Sequence, residues 1–173
     1  TCHHIATMIK SGWKVVVSHG NGPQVGFIMR RGELAAEELH LVPLDSCGAD
    51  TQGSIGYMIQ QSLYNEFLLQ KIDGQATTIV TQVLVDQKDP AFEKPSKPVG
   101  SFMDKETADK RVAEDGITVV EDAGRGYRQV VASPYPKRIV EKDAIAALLE
   151  QNFTVVAVGG GGIGFLLIQW IRL

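Results

Sequence analysis

Short β-branched runs alternate with helical stretches along this chain, and that alternation predicts an α/β fold around a mainly parallel sheet with helices on both faces. Three runs carry the prediction: Lys14 to Ser18 (KVVVS), Ala76 to Asp86 (ATTIVTQVLVD) and Thr154 to Val158 (TVVAV). The first is a short apolar run, the second is mostly β-branched and the third reads as buried, as strands of a parallel sheet covered on both faces are. Two of the three run straight into glycine-rich turns, Gly20 to Gly26 and Gly159 to Gly162. In parallel sheets ligands bind at the carboxyl ends of the strands, so these turns are where chemistry is to be sought.

The elements follow in order. Residues 1–11 read as the end of a helix, with Ile5, Met8 and Ile9 at helical spacing and a stop at Ser11-Gly12. After the first strand and its turn, Phe27 to Leu39 has helical spacing with charge at Arg30, Arg31, Glu33, Glu37 and Glu38. Asp45 to Asp50 reads as a turn, and Thr51 to Lys71 as a second helix with Ile55, Ile59, Leu63 and Phe67 on one stripe. Ile72-Asp73-Gly74 ends it before the second strand. Residues 87–105, with Pro90, Pro95 and Pro98 among four lysines, fit no period. A connection that long inside a domain is usually a functional lid or a disordered segment. Glu106 to Asp115 reads as a short helix, and Val119-Val120 with Tyr127 to Ala132 as an antiparallel excursion closed by Pro134 and Pro136. A helix over Glu141 to Gln151 leads into the third strand.

Composition bounds the function. The 173 residues are 44% hydrophobic and 21% charged, enough apolar material for a core. A net charge of −3 argues against general nucleic-acid binding, which needs a basic face. Two cysteines, Cys2 and Cys47, make no disulfide framework and have no metal-ligand spacing. His3 and His4 read as a solvated pair near a chain end, and no metal site is expected. There is no signal-peptide pattern, and the apolar stretch from Gly164 to Leu173 is about half of a bilayer span. The expectation is a soluble, cytoplasmic protein with no membrane partner.

In the first turn, Gly20, Gly22 and Gly26 let backbone N–H groups approach an anion, and the following helix adds its positive end. Asn21 and Gln24 supply neutral donors. It is neither a Walker loop, lacking Gly-Lys-Ser/Thr, nor a dinucleotide fingerprint. The alternative is a tight strand-to-helix turn that binds nothing. Gly159, Gly161 and Gly164 match G-x-G-x-x-G, but the acidic residue about twenty positions on that a dinucleotide site needs does not follow. Lys97, between Ser96 and Pro98, is either a point charge brought over a bound phosphate or a solvated lysine in a loop. For Asp45 or Asp50 a helix N-cap is the simpler reading, and Cys47 has no activating partner in sequence.

Taken together, the string His19-Gly20-Asn21-Gly22-Pro23-Gln24-Val25-Gly26 after VVVS closely resembles the second glycine-rich loop of carbamate kinases. Thr51-Gln52-Gly53-Ser54-Ile55-Gly56-Tyr57 resembles the opening of their next helix. Asp89-Pro90-Ala91-Phe92 with Pro95-Ser96-Lys97-Pro98-Val99-Gly100 resembles their protruding subdomain, a lid over the substrate. Arg128 to Glu141 (RQVVASPYPKRIVE) and Val158 to Ile163 (VGGGGI) match further landmarks in the same order, so the resemblance covers roughly residues 5–163.

The resemblance implies an amino-acid-kinase-like three-layer α/β/α sandwich with a small protruding lid at about 87–132, usually paired as a homodimer. It implies reversible, magnesium-dependent transfer of phosphate between ATP and carbamate, giving ADP and carbamoyl phosphate, in arginine catabolism. Carried over, Gly20, Asn21, Gly22 and Gly26 hold carbamate and the transferring phosphoryl group. Lys97 reaches onto that group from the lid as the catalytic cation, and Gly159, Gly160 and Gly161 line the same pocket. Measured against the family, residues 1–163 correspond to an N-terminal, carbamate-binding part. The expectation is a chain truncated at both ends, lacking the first strand and the nucleotide-binding half, with a divergent tail at 164–173. Such a fragment alone is expected to be inactive, and the alternative function is a dimerisation or ligand-binding module.

Overall fold

The computed structural model describes residues 1–165, so the expected divergent tail lies, but for Gly164 and Phe165, outside the described residues. Strands β1 (Val16–Val17), β8 (Phe153–Val156) and β2 (Gln75–Thr78) form a parallel sheet in the order β1-β8-β2. Val155 is the central position, in register with Val16 on one side and Thr77 on the other. Thr154 to Ala157 is almost wholly shielded from solvent. This explains the unbroken apolar run there: with neighbours on both edges and helices on both faces, β8 is shielded from water after the half-buried Phe153.

Successive side chains of a strand point to opposite faces. Ala76 of β2 therefore packs with helices α1 (Cys2–Lys10) and α3 (Leu44–Gln70), in a cluster built on Ala6, Leu63 and Phe67. Val155 and Ala157 pack the other way, onto Ile145 and Leu148 of α5 (Lys142–Glu150). Helix, sheet and helix make the three layers that the alternation of elements predicts.

A second sheet pairs β3 (Gln82–Val85) antiparallel with β7 (Pro136–Ile139) and parallel with β9 (Ile163–Phe165). A third, wholly antiparallel sheet has the order β4-β6-β5, from Lys97–Met103, Tyr127–Val131 and Thr118–Glu121. Helix α4 (Lys105–Asp115) connects β4 to β5 and is capped at its start by Asp104, whose carboxylate accepts from the Thr107 N–H at 2.8 Å. Val99, Ala108 and Val130 are the buried residues of this unit.

Several local expectations are revised. No turn separates residues 45–50 from the helix behind them: α3 begins at Leu44, behind Pro43. The short side chains of Ser46, Cys47, Gly48 and Ala49 read as turn formers, but Cys47, Thr51 and Gln52 are buried, and that burial outweighs local preference. Neither Asp45 nor Asp50 is the N-cap, since both lie inside the helix. The run 76–86 is two strands rather than one. It breaks at Thr81, whose hydroxyl donates to Ile79 O and accepts from Val158 N–H, so the chain changes sheets there. Helix α2 (Gly22–Leu34) starts inside the glycine turn, with Pro23 in its first turn, and ends five residues before Leu39. The stretch 87–105, aperiodic in sequence, contains β4, whose register slips between Val99 and Met103 around Gly100 at φ +71°.

Helix α3 lies close against β2 at Gly56, where an added Cβ would overlap the Thr78 side chain and stand 2.8 Å from its hydroxyl. Gly56→Ala is expected to destabilise the fold by about 2 kcal/mol through overpacking. Urea unfolding of the two proteins measures it, and equal midpoints would show that the helix can move away freely.

Candidate active site

The carboxyl ends of β1 and β8 lie side by side, so the two glycine turns meet although they are about 140 residues apart in sequence. Ser18 Oγ donates to Val158 O at 3.1 Å, and Gly160 N–H donates to His19 O at 2.7 Å. The approach leaves no room for side chains. A Cβ on Gly160 would strike Asn21, and one on Gly159 would strike the His19 ring. Gly160 also has φ +66°, in the left-handed region that favours glycine.

The Gln52 amide holds this junction from behind. It is 2% exposed. Its Nε2 donates to Thr81 O at 3.1 Å and to Gly159 O at 3.0 Å, and its Oε1 accepts from Thr81 N–H at 2.6 Å. Both amide hydrogens are thereby used, and the ends of β2 and β8 are tied to one helix. Its neighbour Thr51 accepts from Asn21 Nδ2 at 2.9 Å while donating to Gly48 O at 2.8 Å. Asn21 occupies the N-cap position of α2 without capping it, because its side chain is committed to Thr51. The first N–H groups of α2 have no side-chain cap and carry the positive end of the helix dipole.

A cavity of about 310 Å³ opens in front of this junction. Asn21, Gly22 and Gly160 line it from the turns, and Lys97, the first residue of β4, lines it from the antiparallel unit. Of the residues expected from sequence, these four come together. Gly20, Gly26, Gly159 and Gly161 do not line the cavity. Gly159 is buried behind it, and Gly26 is in the second turn of α2 with open space around it. Sequence reasoning from the residues missed Asp45, Arg128 and the clamp Gln52. For Arg128 the available signal was a charge inside the strand-like run Tyr127 to Ala132.

The antiparallel unit is mounted on α2. Met29 packs where Gly100 lacks a side chain, and Arg111 Nη1 donates to Glu33 Oε1 at 2.7 Å. The two ends of the excursion are clasped by Asp89, whose carboxylate accepts from Ala91 N–H and Tyr135 N–H, each at 2.9 Å. Those backbone donors hold the Asp89 carboxyl below its ordinary value of 3.8. Cys47 is no nucleophile candidate: burial pushes its thiol up, and the Asp50 and Asp45 charges act in the same direction. Among the described residues no three His, Cys, Asp or Glu side chains stand together as a metal site. None of the described helices is long and apolar enough to cross a membrane.

Two outcomes follow. Gln52→Leu leaves the Thr81 N–H and Thr81 O without their partner, while Gly159 O keeps the Gly162 N–H, and is expected to remove about 2 kcal/mol or more of stability. A urea-midpoint loss equivalent to less than about 1 kcal/mol would contradict the clamp. The Asp89 clasp, with its lowered carboxyl, stabilises at every pH above 3.8 and is lost as the pH falls further, through the folded value. The amide NMR shifts of Ala91 and Tyr135 should hold steady above that pH and move together below it. In Asp89→Ala both should be displaced at neutral pH, and independent movement would break the assignment.

No family model matches the chain. Carbamate kinase 2 of Enterococcus faecalis is 52% identical over 161 residues, 92% of this chain and 52% of that protein. Carbamate kinase of Pyrococcus horikoshii is 51% identical over 166 residues, 94% of this chain and 52% of that one. Among solved structures, carbamate kinase from Giardia lamblia bound to AMP-PNP superposes with a TM-score of 0.89 at 44% identity. That match covers 97% of this chain and 54% of the Giardia one. The chain spans about half the length of the curated relatives it matches. Over the residues it spans, the chain is a homologue of the carbamate kinases and shares their fold.

Proposed function

We propose that the whole protein is a carbamate kinase, transferring a phosphoryl group reversibly between ATP and carbamate to give ADP and carbamoyl phosphate. The observation that carries this is the convergence of Lys97, Asn21, Gly22 and Gly160 on one cavity at the carboxyl ends of parallel strands. The named relatives, similar over more than nine-tenths of this chain, support the choice of acid. The AMP-PNP held by the Giardia carbamate kinase supports ATP as the nucleotide.

Phosphoryl transfer asks the protein for positioning and charge neutralisation rather than covalent chemistry. The turn at Gly20, Asn21 and Gly22 offers backbone and amide donors to the acid and the transferring group, with Gly26 keeping the following turn of α2 open. Gly159, Gly160 and Gly161 let the opposite turn approach without side chains. Lys97, exposed at the start of β4, is the cation over the transferring group, and residues 87–132 are the lid that carries it. Residues 1–163 form the carbamate-binding part of the domain, and the nucleotide belongs mainly to the part of the relatives' length that this chain does not span.

Mg2+ is read as arriving with the nucleotide, since it is usually held by one or two carboxylates plus substrate phosphates. By the same likeness the protein is read as a cytoplasmic homodimer acting in arginine breakdown.

The test is ADP-dependent ATP formation from carbamoyl phosphate by the protein of the complete gene. Lys97→Ala is expected to lower turnover by about 10²-fold or more with an unchanged thermal midpoint. Undiminished turnover would remove Lys97 from the mechanism, and no turnover by the unsubstituted protein would overturn the function.

A further inference from the structure

We infer that Arg128 is a second cationic ligand for the substrate, gripping the phosphate oxygens of carbamoyl phosphate alongside Lys97; the inference deepens the function proposed above and rests on it. Arg128 lies on β6 and lines the same cavity as Lys97, Asn21, Gly22 and Gly160. Among the described residues, the charged ones lining that cavity are Lys97, Arg128 and Asp45, a net positive set suited to an anion.

The Arg128 head is anchored but not satisfied. Nη2 donates to Gly100 O at 3.2 Å, Nη1 stands 3.6 Å from Asp122 Oδ2, and the guanidinium carbon lies 5.0 Å from the centre of the Phe102 ring. Its Nε is buried and, among the described residues, has no hydrogen-bond partner. A buried donor on a charged group left unpaired is costly, and such orphans call for a partner not yet in place. Held at three points, the planar fork presents its remaining N–H groups in a fixed orientation, the arrangement that binds phosphate oxygens in pairs. Lys97 is a flexible point charge by comparison. The two cations thus divide the work: Arg128 orients the phosphate and Lys97 neutralises charge on it.

Arg125 supplies an internal control. Its guanidinium also lies over Phe102, at 5.1 Å, and donates to Asp122 at 2.8 Å, yet Arg125 does not line the cavity. Removing Arg125 therefore loosens the same network without removing a cavity charge.

The experiment uses the protein of the complete gene and titrates carbamoyl phosphate and inorganic phosphate by calorimetry, alongside thermal midpoints. Arg128→Ala should weaken both anions by at least about tenfold. Arg125→Ala should bind as the unsubstituted protein does, whatever it loses in thermal midpoint. Arg128→Lys, which keeps charge and stem, guards against a folding failure of Arg128→Ala and should also bind more weakly because the fork is gone. Equal weakening in Arg125→Ala and Arg128→Ala would reduce Arg128 to a framework residue, and unchanged affinity in Arg128→Ala and Arg128→Lys would overturn the inference outright. Turnover of carbamoyl phosphate with no Arg128 effect on affinity sinks this ligand and leaves the function standing. Phosphate binding that depends on Arg128 but not on Arg125, without any turnover, does the reverse. An unsubstituted protein that binds neither anion overturns the ligand assignment.

Discussion

The Gln52 amide makes three hydrogen bonds from inside the protein, and each bond is to backbone at the end of a strand. Because the side chain is inaccessible to water, those bonds have no solvent replacement, and the positions of Thr81 and Gly159 relative to α3 are fixed together. Everything in front of them inherits that placement. Gly160 meets His19, Asn21 meets Thr51, and the uncapped start of α2 faces the cavity rather than its own N-cap side chain.

Helix α2 carries this geometry outward. Its first turn belongs to the glycine junction, and its later turns carry Met29 and Glu33, which meet Gly100 and Arg111 of the antiparallel unit. One rigid element therefore links the anion-facing turn to the strand that begins with Lys97. The Glu33–Arg111 pair is partly exposed, so its own contribution to stability is small. What it supplies is registration, reinforced at the base of the unit by the Asp89 clasp.

Backbone and side chains divide the roles in the cavity. The turns contribute N–H groups that glycine brings close, and their geometry is set by strands and by Gln52. Charge comes instead from the antiparallel unit, through Lys97 and Arg128. A ligand buried between the neutral cradle and the charged wall would meet stronger contacts on both sides, because water is excluded.

Local pattern carried much of this protein. The β-branched runs, their glycine turns and the stripe along α3 are properties of neighbouring residues, and they announced the parallel sheet, its helical layers and the two turns that meet at the candidate site. The order of quoted motifs, above all Gly20 to Gly26 and the lysine at 97, pointed to the relatives. Where local pattern failed, a distant contact had outvoted it. Residues 45–50 are helical because Cys47, Thr51 and Gln52 are buried, and the run 76–86 breaks because Thr81 bonds across to Val158. Arg128 entered the site only through folding, since strand pairing brings it to Gly100 and the cavity. Most strands, helices and glycine turns were legible in the chain alone, because steric preference and hydrophobic period act over a few residues. Which of those turns and charges face one cavity was settled in the folded chain, because register and long-range hydrogen bonds depend on partners far away in the sequence.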